Sequence, residues 1–307
     1  SGTPSLCDTA YAIVRVNANP VITPSVTSLT TCSNDSVNIT FTSSVPGTTF
    51  TWTANNGTSG TGDIHTVLAN TTSNSQTVTY TVTGVSPSGC GSSSISIPVT
   101  VRPRPIATAL QNGNLFCSGE QVVINLTSNV TGTQFNWSSS QGGTGTGNLI
   151  TQTLTNTGTS NVTVTYTIIP TVNGCTGDTL LATAVVKPRP VVTPDPATQT
   201  SCSGQPVTIA LTPNIVGTSV TWTGSNGNSG NTLTINDSPV NNTAGPITVT
   251  YTINSSFNGC VGNTVTATVV VRPAIIADAG ADKSVSACSA SCVTLGGSPS
   301  ASGAPGP

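Results

Sequence analysis

The fold of this chain is constrained above all by a repeat of 85 residues marked by cysteine and tryptophan. Three sets of residues recur at this step: Cys32, Cys117 and Cys202; Cys90, Cys175 and Cys260; and Trp52, Trp137 and Trp222. In each copy the tryptophan follows the first cysteine by 20 residues, and the second cysteine follows the first by 58. A tyrosine precedes the second cysteine, at Tyr80, Tyr166 and Tyr251. These landmarks indicate three tandem units of one fold.

Alternating apolar residues place strands inside each unit. After the first cysteine of copy 1, Val37, Ile39 and Phe41 alternate with polar residues, which is the pattern of a half-buried strand. The tryptophan segments TFTWTA, QFNWSS and SVTWTG alternate in the same way, as do the tyrosine segments. Roughly six or seven short strands around one tryptophan are typical of an immunoglobulin-like sandwich. The sequence therefore predicts an all-β chain of tandem immunoglobulin-like β-sandwich domains, with the three tryptophans and three tyrosines in their cores.

Composition narrows the functional classes. The chain of 307 residues has seven Lys plus Arg against nine Asp plus Glu, and 35% of its residues are hydrophobic. That share is too high, and the charge too low, for a disordered chain. A net charge of −2 argues against nucleic acid as a partner, because phosphate binding needs clustered basic residues. Nine cysteines without a Cys-x-x-Cys pair favour disulfides in an oxidising compartment, and hence an extracellular protein.

The groups that catalysis requires are scarce. The chain has one histidine, His65, and one glutamate, Glu120, and neither recurs in the other copies. The many serines and threonines have no base to activate them, and no repeat contains a consistent pair of carboxylates. We therefore predict that the chain is not an enzyme and needs neither a metal nor a cofactor.

Three stretches carry a resemblance to a known family. TFTWTANNGTSGTG, QTLTNTGTSNVTVTYTIIPTVNGCTG and CSGQPVTIALTP resemble the PKD-like repeats of very large secreted and cell-surface proteins of the Bacteroidota. The resemblance covers roughly residues 20–273 and implies secretion by the type IX system, with roles in adhesion, surface fibres or spacing. It does not imply one ligand. The WDFGDG turn found in many PKD domains is replaced here by WTANNG, WSSSQG and WTGSNG.

The repeat predicts whole units at 21–103, 104–188 and 189–273. Residues 1–20 match the final strand of an incomplete preceding repeat, and residues 274–307 match the opening strands of an incomplete following one. The units are joined by the short Pro-stiffened segments RPRP and KPRP, from which we expect a rod-like arrangement.

Two disulfide schemes fit the cysteine positions. The constant spacing within each repeat predicts Cys32–Cys90, Cys117–Cys175 and Cys202–Cys260. In a seven-strand sandwich, however, these two turns lie at opposite poles, and a disulfide requires Cα atoms within about 7 Å. The alternative is pairing across a junction, as Cys32–Cys175 and Cys117–Cys260.

Basic residues concentrate at the junctions, at Arg102, Arg104, Lys187, Arg189 and Arg272. We expect them to solvate the linkers; the alternative is contact with an acidic group on the next domain. Three short motifs resemble the Bacteroidota O-glycosylation signal and make Thr9, Ser36 and Thr179 candidate glycosylation sites.

The incomplete ends allow two explanations. Either the sequence is a segment of a longer array, or its end strands complete one another between copies and give head-to-tail filaments. In the second case Cys7 would lie near Cys288 or Cys292.

Taken together, the sequence predicts a structural, non-enzymatic segment of a secreted bacterial surface protein, as an adhesin stalk or a filament subunit. Surface glycans or other surface proteins are the candidate partners. The alternative is an array of carbohydrate-binding modules from a larger secreted enzyme.

Overall fold

The computed structural model describes residues 11–274, together with the backbone of Ile276–Ala277 and Ala301–Ser302. The described chain is built of strands connected by turns and loops, so the predicted all-β fold is confirmed. In this part of the chain no helix is long and apolar enough to cross a membrane. By internal contacts the chain divides into two compact units. One joins repeat 1 to Ile124–Ile150 and Tyr166–Ala182, and the other joins repeat 3 to Gln111–Val123 and Thr151–Thr165.

The strands recur in nearly the same order in each repeat. Repeat 1 contains β1 Ile22–Pro24, β2 Leu29–Cys32, β3 Ser36–Ile39, β4 Phe41–Ser43, β5 Thr49–Ala54, β6 Ser59–Thr61, β7 Ile64–Val67, β8 Gln76–Val85 and β9 Ile95–Arg102. Repeat 2 contains β10 Ala107–Gln111, β11 Leu115–Cys117, β12 Gln121–Ser128, β13 Gln134–Ser139, β14 Thr144–Thr146, β15 Leu149–Thr153, β16 Val162–Val172, β17 Cys175–Thr176 and β18 Leu180–Lys187. Repeat 3 contains β19 Val192–Asp195, β20 Thr198–Cys202, β21 Val207–Pro213, β22 Ser219–Gly224, β23 Ser229–Gly230, β24 Thr234–Asp237, β25 Ile247–Phe257, β26 Cys260–Val261 and β27 Val265–Arg272. After them come β28 Ile276–Ala277 and β29 Ala301–Ser302, which pair antiparallel.

Each of the outer repeats is a two-layer sandwich. In repeat 3 one sheet has the order β20-β27-β25-β22-β23 and the other the order β19-β21-β24. In repeat 1 the first sheet is β2-β9-β8-β5-β6, and the pairs β1-β4 and β3-β7 form the second layer. The strand that carries the first cysteine runs parallel to the last strand in all three repeats, as β2 with β9, β11 with β18 and β20 with β27. The first cysteine therefore lies where the chain leaves its repeat.

The cores contain the alternating residues that the sequence pattern indicates. Tyr80, Tyr166 and Tyr251 are fully buried, and Trp222 is 6% exposed. Trp52 and Trp137 are half-buried. Each indole ring covers a glycine on the neighbouring short strand, and a Cβ added to that glycine would lie within 3 Å of the ring in every repeat. The glycine at this position therefore makes room for the tryptophan.

The second cysteine follows a tight hairpin turn in repeats 2 and 3. Asn173 and Gly174 have φ of 49° and 82°, and Asn258 and Gly259 have φ of 48° and 83°. Positive φ at both central residues defines a type I′ turn, for which Asn-Gly is the preferred pair. The turn joins β16 to β17 and β25 to β26, and so places Cys175 and Cys260 at the end of the repeat opposite the chain exit.

Candidate functional site: the junctions between repeats

The disulfides connect successive repeats. Cys32 is bonded to Cys175 and Cys117 to Cys260, with Cα atoms 5.7 and 5.6 Å apart. The predicted pairs Cys32–Cys90, Cys117–Cys175 and Cys202–Cys260 are therefore wrong, and the alternative across the junction is the one formed. Cys90 and Cys202 are free thiols. Cys7, Cys288 and Cys292 lie outside the described residues.

The parallel strand pair explains why the intradomain scheme fails. Cys32 pairs with Arg102 at the exit end of β9, whereas Cys90 precedes the start of β9. A strand of this length, at ~3.3 Å per residue, separates its two ends by about 25 Å. That distance far exceeds the ~7 Å that a disulfide can bridge.

Arginine side chains reinforce the first junction. Arg104 donates from Nε to Ser33 O (2.8 Å), from Nη1 to Thr176 O (2.5 Å) and from Nη2 to Asp35 Oδ1 (2.6 Å). Arg102 Nη1 donates to Asn173 O (2.6 Å). Both side chains thus bind backbone carbonyls of the hairpin that carries Cys175, and they do more than solvate the linker as predicted. The acidic contact of Arg104 is in repeat 1 and not in the next domain.

The second junction repeats this arrangement with other residues. Arg189 donates from Nε to Ser118 O (2.5 Å) and from Nη1 to Val261 O (2.6 Å), and Lys187 Nζ donates to Asn258 O (2.8 Å). Glu120 stands where Asp35 stands in repeat 1, but its carboxylate accepts from the Cys117 amide (2.8 Å). The two cations and their carbonyl acceptors are therefore common to both junctions, and the ion pair is not.

A glycine in the next repeat contacts the linker backbone. A Cβ added to Gly177 would lie 1.8 Å from Pro105 O, and one added to Gly262 would lie 2.2 Å from Pro190 O. Real Cβ atoms do not approach so closely, so both positions require glycine while the linker holds this path. Repeat 1 has Ser92 at the equivalent position.

A buried asparagine supports each first cysteine and was missed in the sequence pattern. The Asn70 amide donates to Ser33 Oγ (2.8 Å), and its Nδ2 donates to Asn74 O and Val101 O, both at 2.8 Å. The same bonds recur at Asn156 and Asn241. The signal that could have found them is the serine that directly follows each first cysteine, with an asparagine 37 or 38 residues later. In a chain so rich in Asn and Ser it does not stand out.

The candidate catalytic residues have structural partners. His65 Nδ1 lies 2.8 Å from Asn38 Oδ1 on the neighbouring strand, and Asp63 accepts from the Phe41 amide (2.9 Å). Within residues 11–274, no group of three or more His, Cys, Asp or Glu is placed to hold a metal ion. The two described glycosylation candidates, Ser36 and Thr179, are exposed, and Thr9 lies outside the described residues.

Repeat 3 contains a polar cluster that the other repeats lack. The Tyr251 hydroxyl donates to Asp237 Oδ2 (2.5 Å), and Asn226, Asn228 and the Ser238 amide also donate to this carboxylate. Burial raises the pKa of Asp237, but these hydrogen bonds outweigh it and hold the pKa below its usual value. Burial, and then the neighbouring Asp237, raise the pKa of Tyr251. A carboxylate held ionised in this way links the loop before β23 to the core tyrosine.

Comparison with known proteins identifies the repeat. Residues 29–105, 114–190 and 199–275 each match a family model described as PKD-like domain. Similar solved structures include the titin I-band fragment I67–I69, which is 13% identical, covers 84% of this chain and 100% of that chain, and has a TM-score of 0.44. Drosophila N-cadherin EC1-4 is 11% identical over 83% of this chain and 75% of that chain, with a TM-score of 0.33. No curated protein sequence matches the chain.

Proposed function

The chain belongs to the PKD-like domain family, and from this premise we propose that it is a structural, non-enzymatic segment of an extracellular protein. In this proposal the repeats form a stalk or filament of the bacterial surface, and the disulfides reinforce it against tension. Disulfides between domains support a location in an oxidising compartment. Secretion by the type IX system, adhesion, the rod-like arrangement and glycosylation at Ser36 and Thr179 are further parts of the proposal.

The observation that carries the proposal is the interlacing of the disulfides. Each bridge spans 143 residues, which is more than one repeat, so the loops 32–175 and 117–260 overlap between Cys117 and Cys175. Every peptide bond between Cys32 and Cys260 therefore lies inside at least one closed loop. A pulling force that enters at Cys32 can pass to Cys175, back along 58 residues to Cys117, and on to Cys260.

This path limits how far the chain can stretch. Without disulfides, unfolding between Cys32 and Cys260 releases 228 residues, or roughly 800 Å at ~3.5 Å per residue. With both disulfides only the 58 residues between Cys117 and Cys175 can extend, which is roughly 200 Å. If either disulfide is missing, the shortest covalent path contains 85 residues, or roughly 300 Å.

Single-molecule pulling of the full chain from its two ends tests the proposal. We expect the released length between Cys32 and Cys260 to follow these three levels in the oxidised chain, in a Cys32→Ser/Cys175→Ser variant and in the reduced chain. The Cys117→Ser/Cys260→Ser variant is the matched control, because it must give the same intermediate length. Equal extension of the oxidised and reduced chains would show that the disulfides do not limit extension, and the proposed mechanical role would be abandoned.

The alternative of a carbohydrate-binding array finds less support. Such modules present a row of exposed aromatic side chains to the sugar, whereas the described tyrosines of the repeats are buried and the tryptophans are buried or half-buried. A cleft of about 90 Å³ beside Trp52 is lined otherwise by threonines. Binding of the full chain to a glycan array, lost on Trp52→Ala without a change in melting temperature, would favour the alternative.

A further inference from the structure

The two free thiols of the described chain belong to complementary classes. Cys32, Cys117 and Cys202 are exit cysteines, since each ends the strand parallel to the last strand of its repeat. Cys90, Cys175 and Cys260 are hairpin cysteines, since each precedes the last strand. Both disulfides join an exit cysteine to the hairpin cysteine of the following repeat. Cys202 is therefore an exit cysteine, and Cys90 a hairpin cysteine, without its partner.

The surroundings of Cys202 reproduce one half of a junction. Cys202 pairs with Arg272 as Cys32 pairs with Arg102, and the Ser203 amide donates to Arg272 O (2.8 Å) as in the other repeats. Arg272 occupies the position of Arg102 and Lys187, which bind the hairpin of the next repeat, and it is exposed. Cys202 itself is also exposed. This end of repeat 3 therefore presents the thiol and the first cation of a junction on an accessible surface.

Cys90 lies in a turn that offers the other half. Its Sγ is half-buried, 3.7 Å from Ser88 Oγ and 4.0 Å from Asn17 O. Gly89 has a φ of 82°, matching Gly174 and Gly259, and the Ser88 carbonyl occupies the place of the Asn173 carbonyl that accepts from Arg102. A hairpin of this kind can therefore receive both a disulfide and a cation.

The positions that differ from the two complete junctions are the ones that contact the linker. Ser92 replaces the glycine that lies against Pro105 O or Pro190 O, and Ala274 replaces the linker arginine, Arg104 or Arg189. A joint made without a continuous linker needs neither residue. The differences therefore fall where a joint between separate chains would permit them.

We propose that Cys202 of one copy and Cys90 of a second copy form the same disulfide and join the chains head to tail. The inference rests on the proposed structural function and continues the interface already present at both junctions. Because the two surfaces are different, such a contact does not close on itself and generates filaments. The two thiols lose two protons and two electrons to a disulfide oxidant of the glutathione class. One S–S bond forms between the chains, and the S–S bond of the oxidant is cleaved to two thiols.

A mixing experiment tests the proposal with the full chain, in a background where Cys7, Cys288 and Cys292 are replaced by serine. Cys90→Ser leaves only the Cys202 thiol, and Cys202→Ser leaves only the Cys90 thiol. In a glutathione redox buffer we expect each variant alone to stay monomeric on a non-reducing gel. Their mixture should give a dimer containing a Cys90–Cys202 peptide by mass spectrometry, and the chain with both cysteines should give a ladder.

Two results would overturn this inference. One is dimerisation of the Cys90→Ser variant alone as readily as the mixture, since that is unspecific pairing of an exposed thiol. The other is the absence of a cross-link in the mixture. Neither result affects the extension limits of the single chain, which depend only on the two disulfides already formed, so failure of the joint and failure of the proposed function are distinguished.

Discussion

Asn241 offers the sharpest test of how each repeat holds its exit cysteine. Its Nδ2 donates to Gly245 O (2.8 Å) and Val271 O (2.7 Å), while its Oδ1 accepts from the Thr243 amide (2.8 Å) and hydroxyl (2.7 Å). The residue is 3% exposed. Asn241→Ala removes all four bonds, each with a net value of about 0.5–1.5 kcal/mol. Water can replace the two at Thr243 in part, so we expect a loss of about 2–4 kcal/mol for repeat 3.

Hydrogen exchange followed by mass spectrometry measures this loss within the intact chain. Because every 1.4 kcal/mol is a factor of ten, the amides of β27 should lose protection by about 30- to 1,000-fold. Asn70 and Asn156 keep the same bonds in repeats 1 and 2, so peptides from β9 serve as an internal control that should not change. A global change in all repeats would indicate that the chain unfolds as one unit instead.

Asn241→Asp separates the donor from the acceptor function. The carboxylate retains the acceptor for Thr243 but points a charged oxygen at two carbonyls, which raises the pKa of this aspartate in the folded state. The destabilisation should therefore develop as the pH rises from the unfolded-state pKa to the raised folded-state pKa, and be complete above it. If Asn241→Ala changes β27 protection by less than threefold, or if the aspartate variant shows no such pH dependence, the buried amide does not hold the exit strand and the reasoning fails.

Three further predictions concern the junctions and the repeat 3 cluster. Gly262→Ala should force Pro190 O away and cost about 1–3 kcal/mol; dithiothreitol should then reduce Cys117–Cys260 faster than in the parent chain, with Cys32–Cys175 as the unchanged reference. A single cleavage in the exposed loop at Ser73–Asn74 should leave one band on a non-reducing gel and two after reduction, and separation without reductant would contradict the disulfide pairing. The pKa of Asp237 is lowered by its hydrogen bonds, so its stabilisation is present above the unfolded-state pKa and is lost as the pH falls through the lowered value. Asp237→Asn should therefore flatten the acid side of the stability profile of repeat 3, measured by hydrogen exchange between pH 2 and 6.

The sequence by itself determined the repeat, the strand class and the turn chemistry. These are local properties: apolar alternation selects strands, Asn-Gly selects a type I′ turn, and a residue that recurs at one spacing occupies one place in every copy. The buried positions of Tyr80, Tyr166 and Tyr251 follow from the same alternation. The low charge and the scattered titratable groups also bear on function at this level, since they give catalysis no recurring site.

Only the tertiary structure decided which cysteines meet. Equal spacing makes Cys32–Cys90 and Cys32–Cys175 equally regular along the chain, and the choice depends on the parallel pairing of β2 with β9, which joins distant segments. The same holds for Arg104 and Asn70, whose partners lie at least 30 residues away for most of their hydrogen bonds. Such contacts arise because the ends of separate strands are brought together when the sheets form and the next repeat docks. Their physical basis is spatial proximity, which a pattern along the chain does not record.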